Sequence, residues 1–227
     1  MSDVTRESVH EQLQNHTIEV RLLQETEHGR YLHLRCSNNG SSNQMFNVLA
    51  VPGRLMYFGD MGSYVFERTN DMIAWFGADD GRDPDFRYLA EKVIAQDKSD
   101  GLKQKSVALF QQALESYLGD AEQDLHKEIK EEIERLTDLW EERGHEAAFY
   151  EACNFSICST KKVGPFEVMD RIRFTFNDLW DFSFDEYTGR FLWACHALRW
   201  AIRRYWDMTE EKAAKSWRMQ RHWRPGG

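Results

Sequence analysis

Proline is scarce in this chain. There are four in 227 residues, and none lies between Pro84 and Pro165. Nothing in that span is barred from a helix by a missing N–H or a clashing ring. Cysteine is equally sparse: Cys36, Cys153, Cys158 and Cys195 are scattered and form no CxxC pair. That excludes a disulfide scaffold, and buried free thiols are the default. A zinc site from Cys153, Cys158, Cys195 and His196 is conceivable, but the spacing fits no strong pattern, so no metal and no cofactor is expected. P-loop, GxGxxG, HExxH and GxSxG motifs are all absent, so nothing points to an enzyme. No apolar run reaches the roughly 18 residues of a membrane span. The segment Met1–Glu7 has no apolar core of the signal-peptide kind. A soluble, intracellular protein is expected.

Hydrophobic residues are not scarce. They make up 41% of the chain, with eight Trp and fourteen Phe, enough for a real core and too many for a disordered chain. The net charge of −9 disfavours direct, non-specific nucleic-acid binding. It is unevenly spread. Glu115–Glu146 holds twelve acids against Lys127, Lys130, Arg135 and Arg143, whereas the chain after Leu198 is basic. Such runs are most often solvated helix faces, although an acidic and a basic stretch can also pair between subunits.

The chain is organised around Lys103–Arg143. Val107, Phe110, Leu114, Leu118, Ala121, Leu125, Ile129, Ile133, Leu136 and Trp140 recur in steps of three and four, the spacing of one helical face. The stretch reads as one continuous or kinked helix, or as a helical hairpin turning at Gly119-Asp120. As a single helix it would be a rod of roughly 60 Å. A flanking domain, with a radius of gyration of about 13 Å, could not cover its apolar stripe, which would need a partner.

Before it, Thr17–Leu23, Arg30–Cys36, Met45–Val51, Arg54–Phe58 and Ser63–Arg68 read as strands, with turns at Glu27-His28-Gly29, Pro52-Gly53 and Gly59–Gly62. A short helix follows Asp71, and a second is expected from Asp85 to Ala95. Asp60, His28 and His33 have no partner that spacing can place beside them, and turn chemistry explains Asp60. After the central stretch, Ala147–Ile157 is ambiguous between helix and strand. Ile172, Phe174 and Phe176 alternate as in a strand. Trp180, Phe182 and Phe184 suit an extended segment. A helix from about Asp185 to Tyr205 is apolar over most of its circumference, as in a core or an interface. His196, Arg199 and Arg203 occupy its remaining face, expected to be solvated, with phosphate or an acidic partner as the alternative. Six of the eight tryptophans lie from Trp180 onward. Density of this kind marks either core packing or a binding surface.

The expected class is α+β, with three parts. Residues 1–100 form an N-terminal antiparallel sheet with helices. Residues 101–146 form a long helical arm. Residues 147–227 form an aromatic-rich, mostly helical C-terminal oligomerisation domain with a short sheet. Tyr117, Leu125, Ile129, Trp140, Trp193, Trp200, Arg203 and Trp206 are the candidate partner or oligomer contacts.

Two segments are similar to a widespread phage and prophage protein family. One is Phe46-Asn47-Val48 through Gly59-Asp60-Met61-Gly62-Ser63-Tyr64-Val65-Phe66-Glu67-Arg68, with Asp71-Met72 and Trp75-Phe76. The other is Phe174–Trp180, then Tyr187-Thr188 and Phe191–Ile202. They cover about a third of the chain. The three-part plan also resembles the phage anti-defence family that inhibits the bacterial Gabija system. The resemblance implies a non-enzymatic homo-oligomer in the host cytoplasm. It would encircle the Gabija nuclease–helicase complex and sterically block DNA binding and cleavage. The alternative class is an acidic DNA mimic acting on a restriction or CRISPR nuclease, with Glu122, Glu128, Glu131 and Glu134 as its charges.

Overall fold

The computed structural model describes residues 4–78, 83–98, 101–163 and 168–222, with side chains described except at 159–172 and 211–222. The class is α+β, with an N-terminal antiparallel sheet. Among the described residues, no helix is long and apolar enough to cross a membrane.

Six strands form that sheet in sequence order: β1 (Thr17–Thr26), β2 (Gly29–Ser37), β3 (Phe46–Val51), β4 (Arg54–Gly59), β5 (Gly62–Glu67) and β6 (Val93–Gln96). All neighbouring pairs are antiparallel. Period-two alternation puts Leu32, Leu34 and Cys36 of β2, and Phe46, Val48 and Ala50 of β3, on the buried face. Pro52-Gly53 links β3 to β4 with Val51 opposite Arg54. Gly53 has φ +83°, a backbone state that a side chain at that turn position would strain. β6 corrects the expected helix from Asp85 to Ala95. The helix, α3 (Phe86–Glu91, numbered after α1 and α2 below), ends early, and Val93–Gln96 completes the sheet against β5.

Three further helices complete this body: α1 (Arg6–Gln12), α2 (Met72–Gly77) and the last helix of the chain, α7 (Gly189–His222). Asp71 caps α2, its carboxylate accepting the Ala74 N–H at 2.9 Å. The buried face of α7 presents Phe191, Trp193, Ala194, Leu198 and Ile202 to the sheet core. Trp193 stands edge-on to Phe46 at 5.7 Å, and its Nε1–H donates to Gln12 Oε1 at 2.9 Å. Gly77 lets α7 approach α2 closely. A Cβ there would lie 2.4 Å from the Trp206 ring and 2.6 Å from Ile202.

The chain therefore divides differently from the expected boundaries at 100 and 146. Ser2–Leu102 and Tyr187–Gly227 form one compact unit, and Lys103–Glu186 forms the other. The helix expected in a separate C-terminal domain completes the N-terminal sheet unit.

The unit Lys103–Glu186 contains β7 (Lys103–Lys105), α4 (Val107–Ser116), α5 (His126–Arg143), α6 (His145–Asn154), β8 (Ile157–Val163) and β9 (Val168–Phe174). β8 and β9 pair antiparallel. β7 pairs with β10 (Asp185–Tyr187), where the chain leaves the unit. The central stretch is not a rod. Between α4 and α5 the chain passes through two short 3-10 turns, Tyr117–Gly119 and Gln123–Leu125. The ring centroids of Phe110 and Trp140 then lie 4.8 Å apart. In one straight helix, thirty residues would separate them by about 45 Å. The hairpin reading is the correct one. The stripe closes on itself and, with Phe176 and Leu179, forms a core of its own.

Candidate protein-interaction site

Three large aromatic side chains of the Lys103–Glu186 unit stand in solvent. Tyr150 and Trp180 are each 68% exposed, and Phe182 is 41% exposed. They border one groove of about 550 Å³. Trp140, Phe149 and Phe184 line its apolar part. Lys105, His145, Glu146 and Cys153 supply its polar edge.

Local chemistry explains the exposure. Gly144, with φ +89°, ends α5 and starts α6 directly. That turn brings His145, Phe149 and Tyr150 round to Trp140, whose ring centroid is 5.7 Å from His145. In the other wall, Asp178 adopts a left-handed φ of +57° and opens a 3-10 turn. Leu179 enters the core with no exposure, so its neighbour Trp180 faces outward. Phe184 then anchors the segment inward, with ring centroids 5.4 Å from Phe110 and 6.1 Å from Phe149. Its carbonyl accepts the Ser106 N–H at 2.8 Å, and the Ser106 hydroxyl caps α4 at Leu109 N–H. The groove thus has a fixed floor and a wet aromatic rim.

Its electrostatics are mild. Lys105 Nζ pairs with Asp185 at 3.0 Å. Burial pushes the Cys153 thiol up from its ordinary value, the opposite of an activated nucleophile. Among the described residues, no three His, Cys, Asp or Glu side chains group so as to hold a metal ion. An aromatic groove with few charges suits the burial of another protein's apolar side chains.

The residues expected as contacts fall in different places. Trp140 lines the groove. Tyr117 is half-buried, 6.1 Å from Phe182 by ring centroid, and its hydroxyl donates to the Asn177 carbonyl. Leu125 and Ile129 are buried in the hairpin core, and Trp193 is buried in the sheet core. Trp200 is half-buried and edge-on to His16, while Trp206 is half-buried over Gly77. Arg203 is exposed. Tyr150, Trp180 and Phe182 are not among the expected contacts; the spacing of Trp180, Phe182 and Phe184 suggests an extended segment, and Leu179–Asp181 is instead a 3-10 turn. The available signal was the pair of bulky aromatics in the acidic segment Asp178–Glu186, where a core strand would carry few charges.

The acids of α5 are largely exposed, as at Glu128, Glu131 and Glu134. Two lie beside cations: Glu131 is 3.6 Å from Lys127, and Glu132 is 2.7 Å from Arg135, which also lies 3.6 Å from Glu151 of α6.

No protein-family model, no curated protein and no solved structure matches the chain.

Proposed function

We propose that this chain is a non-enzymatic inhibitor that seats a protein partner in the aromatic groove of its Lys103–Glu186 unit. The partner class comes from the resemblance of the chain's plan to the Gabija-inhibiting family, beside the phage-family likeness of the two segments: a Gabija-like nuclease–helicase complex, met in the host cytoplasm and kept from binding and cutting DNA. The observation that carries the binding half is the convergence of Tyr150, Trp180 and Phe182 on one groove. Leaving these rings partly in water forgoes folding free energy, a fraction of the roughly 1.5–3 kcal/mol that full burial of one large apolar side chain supplies. A partner surface recovers it.

The mode differs from encirclement by rod-like arms. The reach assigned to Lys103–Arg143 is lost because α4 and α5 turn back on each other. Occlusion by direct seating on the partner needs no such reach, and a homo-oligomer remains part of the proposal. The test is co-expression with the Gabija complex. Capture of the nuclease subunit and loss of DNA cleavage are expected, together with a solution mass above that of one chain. A monomer that leaves cleavage unchanged overturns the reading.

One observation favours the second reading, an acidic DNA mimic: the exposed carboxylates of α5. Charge reversal at Glu128, Glu131 and Glu134 separates the two. Inhibition survives it if the groove carries binding and disappears if the acids do.

A further inference from the structure

The sheet is layered with helices on one face. Leu13 of α1, Phe76 of α2, Leu89 of α3 and Phe191 of α7 all pack in one cluster with Leu34, Val48, Tyr57 and Phe66, the inward side chains of the strands. Alternate residues of those strands point the other way. An antiparallel sheet with one wet face ordinarily turns polar side chains to the water. Here the register carries Leu22, His33, Leu49, Met56, Val65 and Ala95 across that second face, one residue from each of the six strands in order. Five of these six are apolar, and all six are half-buried or exposed. The imidazole in the row is already matched, since His33 Nε2–H donates to Asn47 Oδ1 at 3.0 Å.

Two residues along each strand the chemistry changes. On β2, His33 lies between Tyr31 and Arg35. On β4, which runs parallel to β2, Met56 lies between Arg54 and Phe58. One flank of the apolar row therefore carries Arg35 and Phe58, and the other carries Tyr31 and Arg54. The two flanks are complementary. A half turn about the line of the row lays this face on a copy of itself with the strands aligned, at the layer spacing of about 10 Å usual for stacked sheets. The apolar rows then meet, Arg35 comes over Tyr31 of the second copy, and Arg54 comes over its Phe58, so each guanidinium covers a ring. Like charges are not opposed, because Glu19 faces Gln24 and Glu67 faces Ser63. Arg54 Nε–H already donates to Glu67 at 2.8 Å, so covering that flank leaves the charge paired. Five strands about 4.8 Å apart and three rows about 6.8 Å apart give roughly 500 Å² on each copy, and the pair reaches the roughly 1,000 Å² that a specific interface needs.

We propose that the open face of the six-stranded sheet docks a second copy of this chain, sheet against sheet, about a two-fold axis along the Leu49–Met56–Val65 row. Those three side chains form the dry centre of the contact, and the Arg35–Tyr31 and Arg54–Phe58 pairs form its rim and fix its register. This gives the self-association in the proposed function a surface, and it rests on that part of the reading and not on the groove. An area near the lower bound makes the dimer reversible, so its population rises with concentration.

Sedimentation velocity of the full chain, from micromolar to millimolar concentration, tests it, with circular dichroism to check the fold of each variant. The mass is expected to rise to that of two chains or more. Met56→Lys puts a charge in the dry centre, yet faces solvent in the free chain. It keeps the fold and weakens association about tenfold or more, and Leu49→Lys does the same. Arg35→Gln weakens association several-fold, and Arg35→Lys restores part of the loss. Tyr150→Ala with Trp180→Ala leaves the mass unchanged. Cleavage of DNA by the Gabija complex, read beside the mass, separates the two proposals: a monomer that still inhibits overturns the sheet dimer alone, and a dimer that does not inhibit overturns the groove reading alone. Wild type that stays monomeric at millimolar concentration overturns the sheet dimer, even where the face captures another protein. So does a dimer that the folded Met56→Lys and Leu49→Lys variants leave intact.

Discussion

The two compact units solve the same problem to different degrees. In the sheet unit, the large aromatics Phe46, Tyr57, Tyr64, Phe66 and Phe191 are all essentially without exposure. Their neighbours are drawn from β3, β4, β5 and α7, so each ring is enclosed from several elements. In the Lys103–Glu186 unit, Phe110 is equally buried, yet Tyr150, Trp180 and Phe182 remain in water beside it. The sheet unit also exposes apolar side chains, at Val20, Leu22, Leu23, Phe58 and Ile94. All but Phe58, on the inner strand β4, lie on its outer strands β1 and β6, whereas the three aromatics border a single concavity. Scattered exposed apolar residues are ordinary, and a clustered set marks a surface that meets something. On the proposed function, the aromatic core of one unit is finished by folding and the groove of the other by binding.

Substitutions can break or sharpen this contrast. The largest effect is expected for Phe110→Ala, which empties the floor beneath Phe184 and Trp140. A loss of about 3–5 kcal/mol in denaturant unfolding is predicted, with hydrogen exchange rising across Lys103–Glu186 first. Gly77→Ala probes the sheet unit in the opposite sense, by overpacking. The added methyl meets the Trp206 ring and Ile202, and about 1–3 kcal/mol is expected to be lost, read as a lower melting temperature.

Acid sharpens the contrast further. His16 and His196, both in the sheet unit, have pKa values lowered from 6.5, chiefly by burial. His16 Nε2–H donates to the Gln44 carbonyl at 3.2 Å, which raises its pKa only in part. The unfolded chain therefore binds protons at these sites before the folded one does. Their contribution is fully present above pH 6.5 and is lost as pH falls below it. The slope is at most about 1.4 kcal/mol per pH unit for each histidine. His16→Gln should flatten that dependence in urea melts between neutral and mildly acidic pH. The smallest effect on stability is expected for Tyr150→Ala with Trp180→Ala, within about 0.5 kcal/mol, because these rings face solvent. An effect as large as that of Phe110→Ala would mean the groove rim is part of the fold.

Much of the sheet was legible in the sequence because period-two alternation and Pro52-Gly53 are local signals. β6 was not, since Val93-Ile94-Ala95 directly follows a helical pattern and only pairing with β5 makes it a strand. The hairpin at Gly119-Asp120 was one of two readings, and spacing could not choose between them. Leu118, Ala121 and Leu125 keep steps of three and four across two 3-10 turns, so periodicity runs through a reversal. The place of α7 depends on neighbours far off in sequence, such as Gln12 for Trp193, and no local pattern encodes that. The site was half visible. Trp140 stood out as the end of a stripe, but Tyr150, Trp180 and Phe182 matter because they remain outside, a property that only the folded unit decides.

The most direct test is cleavage of DNA by the Gabija nuclease–helicase complex in the presence of wild-type protein and of the folded Tyr150→Ala/Trp180→Ala variant. The account predicts that wild type binds the complex and suppresses cleavage, while the variant does neither despite an unchanged melting temperature. Inhibition by the variant at wild-type strength would contradict it.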